Sequence, residues 1–195
     1  MLSYEESLKI LKETNALLEG HFILSSGLHS KQYVQCAKLL SFPKKAEAIC
    51  SSLCKKISST INKIDIVLSP AIGGIVVGYE VGRRLGVETI FAERFEESLI
   101  LRRGFKIPEN SKVLVVEDVI TTGKSALECS EIIKKNKSEV VGYACIIDRS
   151  NNSVLIKQKI ISQIKFKIET FREKELPDEL KKIMPVKPGS RNLSK

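Results

Sequence analysis

Residues 113–125 read VLVVEDVITTGKS, and this stretch determines the interpretation of the whole chain. Val113 to Val116 are apolar and mostly β-branched, which predicts a buried strand of a parallel sheet. Glu117 and Asp118 follow that strand, where carboxylates can accept hydrogen bonds from sugar hydroxyls. The polar turn and helix start that come next offer free N–H groups and the positive end of a helix dipole to a phosphate. The stretch therefore predicts a ribose 5-phosphate site.

Apolar strands and amphipathic helices alternate from residue 44 to residue 147, beginning with a helix after Pro43. This alternation indicates an α/β fold with βαβ units and a parallel sheet that helices cover on both faces. The predicted strands are 64–68, 87–92, 113–116 and 140–147. Ligands of such sheets bind at the carboxyl ends of the strands. The segments there are polar or glycine-rich and can form one site: SPAIGG (69–74), AER (92–94), EDVITTGKS (117–125) and DRS (148–150).

The segments outside this alternating region carry weaker patterns. They predict a helix over 4–18, a hairpin or two short strands over 20–40, a polar connection over 93–106, an added strand around 164–168 and a short helix near 177–183.

Composition is typical of a single globular domain, with 195 residues, 43% of them hydrophobic and 28% charged. No apolar run reaches membrane-spanning length and the N-terminus lacks signal-peptide features, so we expect a cytoplasmic protein. The net charge of +9 fits solvated lysine faces best, a polyanionic substrate second and nucleic acid third. The five cysteines, Cys36, Cys50, Cys54, Cys129 and Cys145, are odd in number and scattered, which disfavours disulfides and zinc. Cys50 and Cys54 share one helical face, which predicts core positions for these two.

VLVVEDVITTGKS resembles the signature of the type I phosphoribosyltransferases, which is an apolar strand, two acidic residues and a small turn ending in TTG. Within that superfamily the chain is similar, over nearly its entire length, to the members that act on orotate. Five further segments carry this resemblance: GHFILSSGLHSKQYVQC (20–36), SPAIGGIVVGYEVGRRLGV (69–87), FAERFEESLILRRGF (91–105), DRS (148–150) and PVKPGSR (185–191). The resemblance implies one domain over 1–195, with a core over 44–149 and a hood from 1–40 and 150–195.

The resemblance also implies a reaction. Orotate and 5-phosphoribosyl 1-diphosphate would give orotidine 5′-monophosphate and diphosphate, a step of pyrimidine nucleotide synthesis. Mg²⁺ would accompany the diphosphate, without direct protein ligands. The chain would form a homodimer with a loop reaching into the neighbouring site, and we expect neither a nucleic-acid nor a membrane partner.

By the same resemblance, Glu117 and Asp118 would hold the ribose hydroxyls and place negative charge near the cationic anomeric carbon. Asp118, Arg102 and Arg103 are the catalytic candidates, because basic residues would neutralise the leaving diphosphate. The expected donor-binding residues are Glu117, Asp118, Val119, Ile120, Thr121, Thr122, Gly123, Lys124, Ser125, Arg94, Ile72 and Gly73. A plain helix cap remains an alternative for this turn, and a cap can also bind phosphate.

Orotate would be bound by Arg149, whose guanidinium fork suits a carboxylate and ring carbonyls. The other expected orotate-binding residues are Thr121, Ser26, Gly27 and Tyr33. A salt bridge to Asp148 is the alternative role for Arg149. His21 and His29 fit turn histidines bonded to backbone better than a general acid or base.

Three departures from well-known relatives stand out. The segment 93–106 contains no histidine, and Gly73 and Ser25 stand where those relatives carry lysines. A P-loop is excluded, because Asp118 occupies the position of its first glycine. Two other functions stay open: transfer to another base, such as a purine, and a non-catalytic nucleic-acid-binding regulator on the same fold.

Overall fold

The computed structural model describes residues 1–24, 26–150 and 154–188. Its centre is a six-stranded sheet in the order β5-β4-β3-β6-β7-β8. These strands are β3 (Ile66–Pro70), β4 (Glu88–Phe95), β5 (Ser98–Leu101), β6 (Lys112–Ile120), β7 (Glu139–Asp148) and β8 (Ile160–Lys165). All neighbouring pairs are parallel except β4 with β5. The predicted parallel sheet is confirmed, with one antiparallel strand added at its edge.

Helices cover both faces of this sheet, as predicted. They are α1 (Tyr4–Glu13), α2 (Cys36–Leu40), α3 (Pro43–Ser58), α4 (Gly73–Leu85) and α5 (Lys124–Lys135). The short α6 (Asp178–Lys181) belongs to neither apolar cluster on the sheet. Helices α1 to α4 share one buried apolar cluster with the sheet, and α5 belongs to the cluster on the opposite face. The apolar side of α3 is buried as its spacing predicted, and all five cysteines are free and buried.

A second, antiparallel sheet lies apart from the large one in the strand order β1-β2-β9. It consists of β1 (Leu17–Ile23), β2 (His29–Val34) and β9 (Thr170–Phe171). The predicted hairpin is confirmed by β1 and β2, but the last part of its predicted range, residues 36–40, forms the helix α2. The helix predicted over 4–18 is wrong at its end. Asn15 adopts φ 53°, a left-handed conformation that asparagine tolerates and that commonly ends a helix. Leu17 then pairs with Val34 of β2, so the last apolar residues join a strand.

Two other segments differ from their predictions. Residues 93–106 are not merely a polar connection, because β4 continues to Phe95 and the chain folds back as β5. Leu99 is buried while its neighbours are exposed, an alternation that the surrounding charges hid from the sequence pattern. The added strand lies at Ile160–Lys165 rather than 164–168, and β8 pairs with β7 in the large sheet. The segment 150–195, assigned to the hood, thus also supplies a core strand.

The strand order determines where a ligand can bind. β4, β3, β6 and β7 are consecutive neighbours, so their carboxyl ends line one edge of the sheet. The four polar segments that follow these strands in the sequence are therefore adjacent in space. Within the described part of the chain, no helix has the length and apolar character needed to cross a membrane.

Candidate active site

The acidic pair lies within the last part of β6, which continues to Ile120 and not only to Val116 as predicted. Successive strand residues face opposite sides, so Asp118 lies on the α4 side of the sheet and Glu117 on the α5 side. A Cβ atom added to Gly73, the first residue of α4, would lie 3.0 Å from both carboxylate oxygens of Asp118. The glycine therefore lets the start of α4 approach this carboxylate closely.

Both acids have raised pKa values, and burial is the main cause for each. Burial, with the nearby charge of Asp118 second, raises the pKa of Glu117 to about 8, against a lowering contribution from the Ala126 backbone N–H. Burial also raises the pKa of Asp118, opposed by the Val119 N–H that donates to its Oδ1 at 2.9 Å. Among the described residues, Oε1 of Glu117 has no hydrogen-bond partner. A ligand hydroxyl can supply that partner.

The turn after β6 forms an open cradle at the start of α5. Thr121 and Thr122 are exposed, and Gly123 has φ 78°, which a side chain resists. A Cβ atom on Gly123 would lie 2.8 Å from the side chain of Ile156, so this position also needs a glycine for space. The backbone of the same segment is fixed, because the Leu155 N–H donates to the Thr122 carbonyl at 2.9 Å.

The other residues of this stretch differ in what they can offer a phosphate. Ile120 is buried and Val119 packs against the core, so these two residues can contact a ligand only through their backbone groups. Lys124 is exposed and Ser125 is half-buried in the first turn of α5. The N–H groups of such a first turn have no intrahelical acceptors and suit an anion.

The loop between β3 and α4 borders the same edge. The Ala71 N–H donates to the Ala92 carbonyl of β4 at 2.7 Å, which holds this loop against the neighbouring strand. The Ala71–Ile72 peptide bond is cis, and the Ile72 side chain is exposed. Gly74 is buried against Ser69 and Pro70. Ile72 and Gly73 therefore lie between the ends of β4 and β6, beside the acidic pair.

Arg149 follows β7, and its N–H donates to the Ile120 carbonyl of β6 at 2.9 Å. Its guanidinium is half-buried, and burial lowers its pKa, with Tyr33 and Cys36 close enough to oppose the shift. No described residue accepts a hydrogen bond from Nε of Arg149. The alternative salt bridge is not formed, because the buried carboxylate of Asp148 pairs with Lys165 at 2.9 Å.

The hairpin of the small sheet supplies Tyr33 to this neighbourhood, and the Tyr33 ring lies 5.7 Å from that of Phe22. Ser26 and Gly27 lie at the hairpin turn, where Gly27 has φ 81°. In the described ranges no hydrogen bond joins this turn to the acidic pair or to Arg149. Ser25, one of the departures from relatives, lies outside the described residues.

The two histidines form a buried pair. His21 Nδ1 lies 2.8 Å from the Ile183 carbonyl, and His21 Nε2 lies 2.7 Å from His29 Nδ1. Because a carbonyl only accepts, His21 Nδ1 carries the proton, and in the neutral pair His29 Nδ1 donates to His21 Nε2. The expectation of turn histidines bonded to backbone is therefore only partly met, because both residues lie in strands and only His21 contacts a backbone group.

The three arginines around β4 and β5 have separate partners. Arg94 pairs with Glu128 of α5, with 2.5 Å from Nη1 to Oε2. Arg103 forms two bonds to Glu93, and the Arg102 guanidinium lies 5.7 Å from the Phe95 ring. The sequence analysis missed both glutamates, because nothing in their spacing shows which arginine they pair with.

Comparisons with known proteins agree with this architecture. The family described as "Phosphoribosyl transferase domain" matches residues 42–175. An orotate phosphoribosyltransferase of Caldicellulosiruptor bescii is 50% identical over 184 residues, covering 94% of this chain and 96% of that protein. One from Methylorubrum extorquens is 47% identical over 192 residues, covering 98% of each.

A solved structure shows the same fold. The crystal structure of orotate phosphoribosyltransferase from Aeropyrum pernix superposes with a TM-score of 0.68 at 23% sequence identity. The superposition covers 81% of this chain and 92% of that one.

Proposed function

The chain belongs to the phosphoribosyl transferase family, and from that premise we propose that it is an orotate phosphoribosyltransferase. It transfers the 5-phosphoribosyl group from 5-phosphoribosyl 1-diphosphate to orotate, giving orotidine 5′-monophosphate and diphosphate for pyrimidine synthesis. Relatives with this name match nearly the full length at about half identity. The single observation that carries the choice of acceptor is the half-buried guanidinium of Arg149, whose Nε has no hydrogen-bond partner among the described residues. It lies at the same edge of the sheet as Glu117 and Asp118.

The acidic pair binds the ribose of the donor. The free Oε1 of Glu117 accepts from one hydroxyl, and the Asp118 carboxylate, beside Gly73, accepts from the other. As diphosphate departs, positive charge develops at the anomeric carbon. The Asp118 carboxylate near that carbon stabilises the charge without reorganising at the moment of reaction, while Glu117, whose pKa is raised to about 8, acts on the ribose chiefly through hydrogen bonds. Burial makes this interaction stronger than it would be in water.

The turn that follows β6 binds the 5′-phosphate. Its exposed threonine hydroxyls and the first N–H groups of α5 point toward an anion, and the helix dipole favours negative charge there. Ile156 covers Gly123 from one side and fixes the shape of the cradle. The ribose and its phosphate are thereby held by adjacent residues of a single strand–turn–helix unit.

Orotate binds at the end of β7. Its carboxylate pairs with the Arg149 guanidinium, and its ring lies near Tyr33 and the exposed Thr121. A purine lacks the carboxylate and would leave the guanidinium buried and unpaired, at a cost. This difference favours orotate over the other bases as the acceptor. Ser26 and Gly27 of the hairpin turn are proposed to complete the orotate-binding site.

Mg²⁺ is proposed as the cofactor. Glu117 and Asp118 are oxygen ligands of the kind that Mg²⁺ prefers, but no group of three or more potential ligands occurs among the described residues. We propose that the diphosphate of the donor supplies most of the ligands of the ion. When bound, the ion supplies charge neutralisation for the leaving group. The arginines around β4 and β5 supply the protein's own share of that neutralisation.

A homodimer in the cytoplasm is proposed as the working form. Val76 and Tyr79 are exposed apolar side chains at helical spacing on α4, and the exposed Ile72 directly precedes the helix. Such a stripe suits an isologous contact with a second copy. Light scattering should give twice the mass of the chain, and a Tyr79→Lys variant should shift it toward the monomer.

An acceptor comparison tests the proposed function. Purified protein is mixed with 5-phosphoribosyl 1-diphosphate and Mg²⁺, and the loss of orotate is followed by absorbance, with adenine, hypoxanthine and uracil in parallel. Rapid loss of orotate alone is the expected result. Turnover of a purine instead would reassign the acceptor. Donor binding with no turnover of any acceptor, together with steeply salt-dependent nucleic-acid binding, would favour the regulator.

A further inference from the structure

Arg103 forms a two-bond pair with a glutamate of the neighbouring strand. Its Nε donates to Oε2 of Glu93 at 3.1 Å and its Nη2 donates to Oε1 at 2.7 Å. The guanidinium also lies 5.8 Å from the centroid of the Phe91 ring. Glu93 is held in turn by its place at the end of β4, and its side chain is only 19% exposed. In this pair the Glu93 carboxylate is the more buried partner, and the Arg103 guanidinium lies on its solvent side.

The backbone of Arg103 supports a specific role. Arg103 has φ 58° and is followed by Gly104 at φ 76°, so two consecutive residues adopt left-handed conformations. A left-handed non-glycine residue is uncommon, and this one turns the arginine back onto β4. The Phe105 N–H closes the turn on the Arg102 carbonyl at 3.0 Å.

The pair lies on the same side of the sheet as Asp118. Thr89 packs against Gly82 of α4, and strand alternation places Glu93 on the same face of β4 as Thr89. Asp118 likewise faces α4, through Gly73. The β3–α4 loop is hydrogen-bonded to Ala92, the residue before Glu93. This loop therefore lies between the Glu93–Arg103 pair and Asp118.

Arg94 has a different orientation. It follows Glu93 in β4 and therefore points to the opposite face, where it pairs with Glu128 of α5. Arg102 is exposed and lies over Phe95, and no carboxylate hydrogen bond to it is formed in the described ranges. Of the three, Arg103 alone combines the face of Asp118 with a fixed guanidinium.

We infer that Glu93 is a positioning residue for the transfer: it binds one edge of Arg103 and so presents the other edge to the diphosphate of the donor. A guanidinium has two edges that can each make a pair of parallel hydrogen bonds. Glu93 occupies the Nε–Nη2 edge, which leaves Nη1 and one proton of Nη2 for phosphate oxygens. The leaving group thus meets a cation whose orientation is already set.

This inference rests on the proposed function, and a double-mutant cycle tests it. The variants are Glu93→Gln, Arg103→Ala and the two combined, measured for kcat, for the KM of the donor and for binding of inorganic diphosphate with Mg²⁺. We expect Arg103→Ala to lower kcat roughly 100-fold or more and Glu93→Gln roughly tenfold, with smaller changes in KM. The double variant should match Arg103→Ala, because Glu93 acts only through Arg103.

Chemical rescue gives a readout that a purely structural role of Glu93 would not change. Millimolar guanidinium ion should restore part of the kcat of Arg103→Ala, because Glu93 can hold the free ion in the vacated place. It should not restore the double variant. Arg103→Lys, an exposed change that preserves folding, should resemble Arg103→Ala, because an ammonium lacks the second edge.

Glu109→Gln is the matched control. It removes a carboxylate from an exposed ion pair, to Lys137 at 2.7 Å, just before β6 and so at the other end of the sheet. It should keep the wild-type kcat. Losses that multiply in the double variant, wild-type kcat in Glu93→Gln, or rescue that is independent of Glu93 would overturn the inference. If wild-type protein fails with orotate, the proposed function fails, and the diphosphate-binding cycle still tests the role of Glu93.

Discussion

Replacing Arg149 by methionine is the change that most sharply separates binding from folding. Methionine keeps an unbranched apolar stem of similar length and removes the guanidinium. In the described chain Nε of Arg149 has no hydrogen-bond partner, and burial lowers the pKa of the group. The protein thus keeps a partly buried charge that its own residues do not fully satisfy. A ligand carboxylate would supply the missing partner.

The expected change in the KM for orotate follows from the loss of one charge-assisted hydrogen bond to a buried group. Such a bond contributes about 1.5–3 kcal/mol, and each 1.4 kcal/mol is a factor of ten. The KM for orotate should therefore rise roughly 10- to 140-fold. The free energy of unfolding should not fall, because removing an unpaired, half-buried charge leaves no protein group without a partner.

Steady-state kinetics and thermal unfolding of Arg149→Met measure the two effects separately. Lys165→Ala is the reciprocal control, since Lys165 pairs with the buried Asp148, the residue before Arg149. It should lower the melting temperature, because it leaves a buried carboxylate unpaired, and leave the KM for orotate nearly unchanged. An Arg149→Met variant with wild-type KM and a much lower melting temperature would refute the assignment of Arg149 to the acceptor.

Three further changes have defined outcomes. Asp118→Asn should lower kcat roughly 100-fold while the melting temperature holds, because burial already disfavours the charged form; wild-type turnover would contradict its role at the ribose. Gly73→Ala should lower kcat too, because its Cβ would lie 3.0 Å from both Asp118 oxygens and displace the carboxylate; unchanged kinetics would show that the approach is not needed. For Glu117, the ordinary pKa is 4.5 and the folded value about 8, so between them the folded protein keeps a proton that the unfolded chain has lost. The stabilisation is complete below about pH 4.5 and is lost as pH rises toward about 8, so urea unfolding should show a steeper fall for wild-type than for Glu117→Gln. Equal slopes would show that burial does not shift this carboxyl.

The strands and helices of the core were predictable because their apolar patterns are simple. The α3 face repeats at helical spacing from Ala46 to Ile57 and is buried as expected. Val113 to Val116 form an uninterrupted apolar run of the kind found in buried strands, and the two acids directly follow this run, although β6 continues past them to Ile120. The site was therefore predictable wherever one continuous segment supplies it.

Other features depend on contacts between distant segments and left no sequence pattern. The β4–β5 hairpin carries charges on its exposed positions, so the single buried position at Leu99 gave too weak a signal. The end of α1 depended on one left-handed residue, Asn15. The pairing of Asp148 with Lys165, which frees Arg149, arises only because β7 and β8 place those residues side by side.

The most direct test of the proposed function is product identification with purified wild-type protein and Asp118→Asn side by side. Each is incubated with orotate, 5-phosphoribosyl 1-diphosphate and Mg²⁺, and the products are quantified by mass spectrometry. The wild-type protein should form orotidine 5′-monophosphate and diphosphate in equal amounts, and the folded variant should form far less. Absence of the nucleotide from the wild-type reaction, with both substrates intact, would contradict the proposed function.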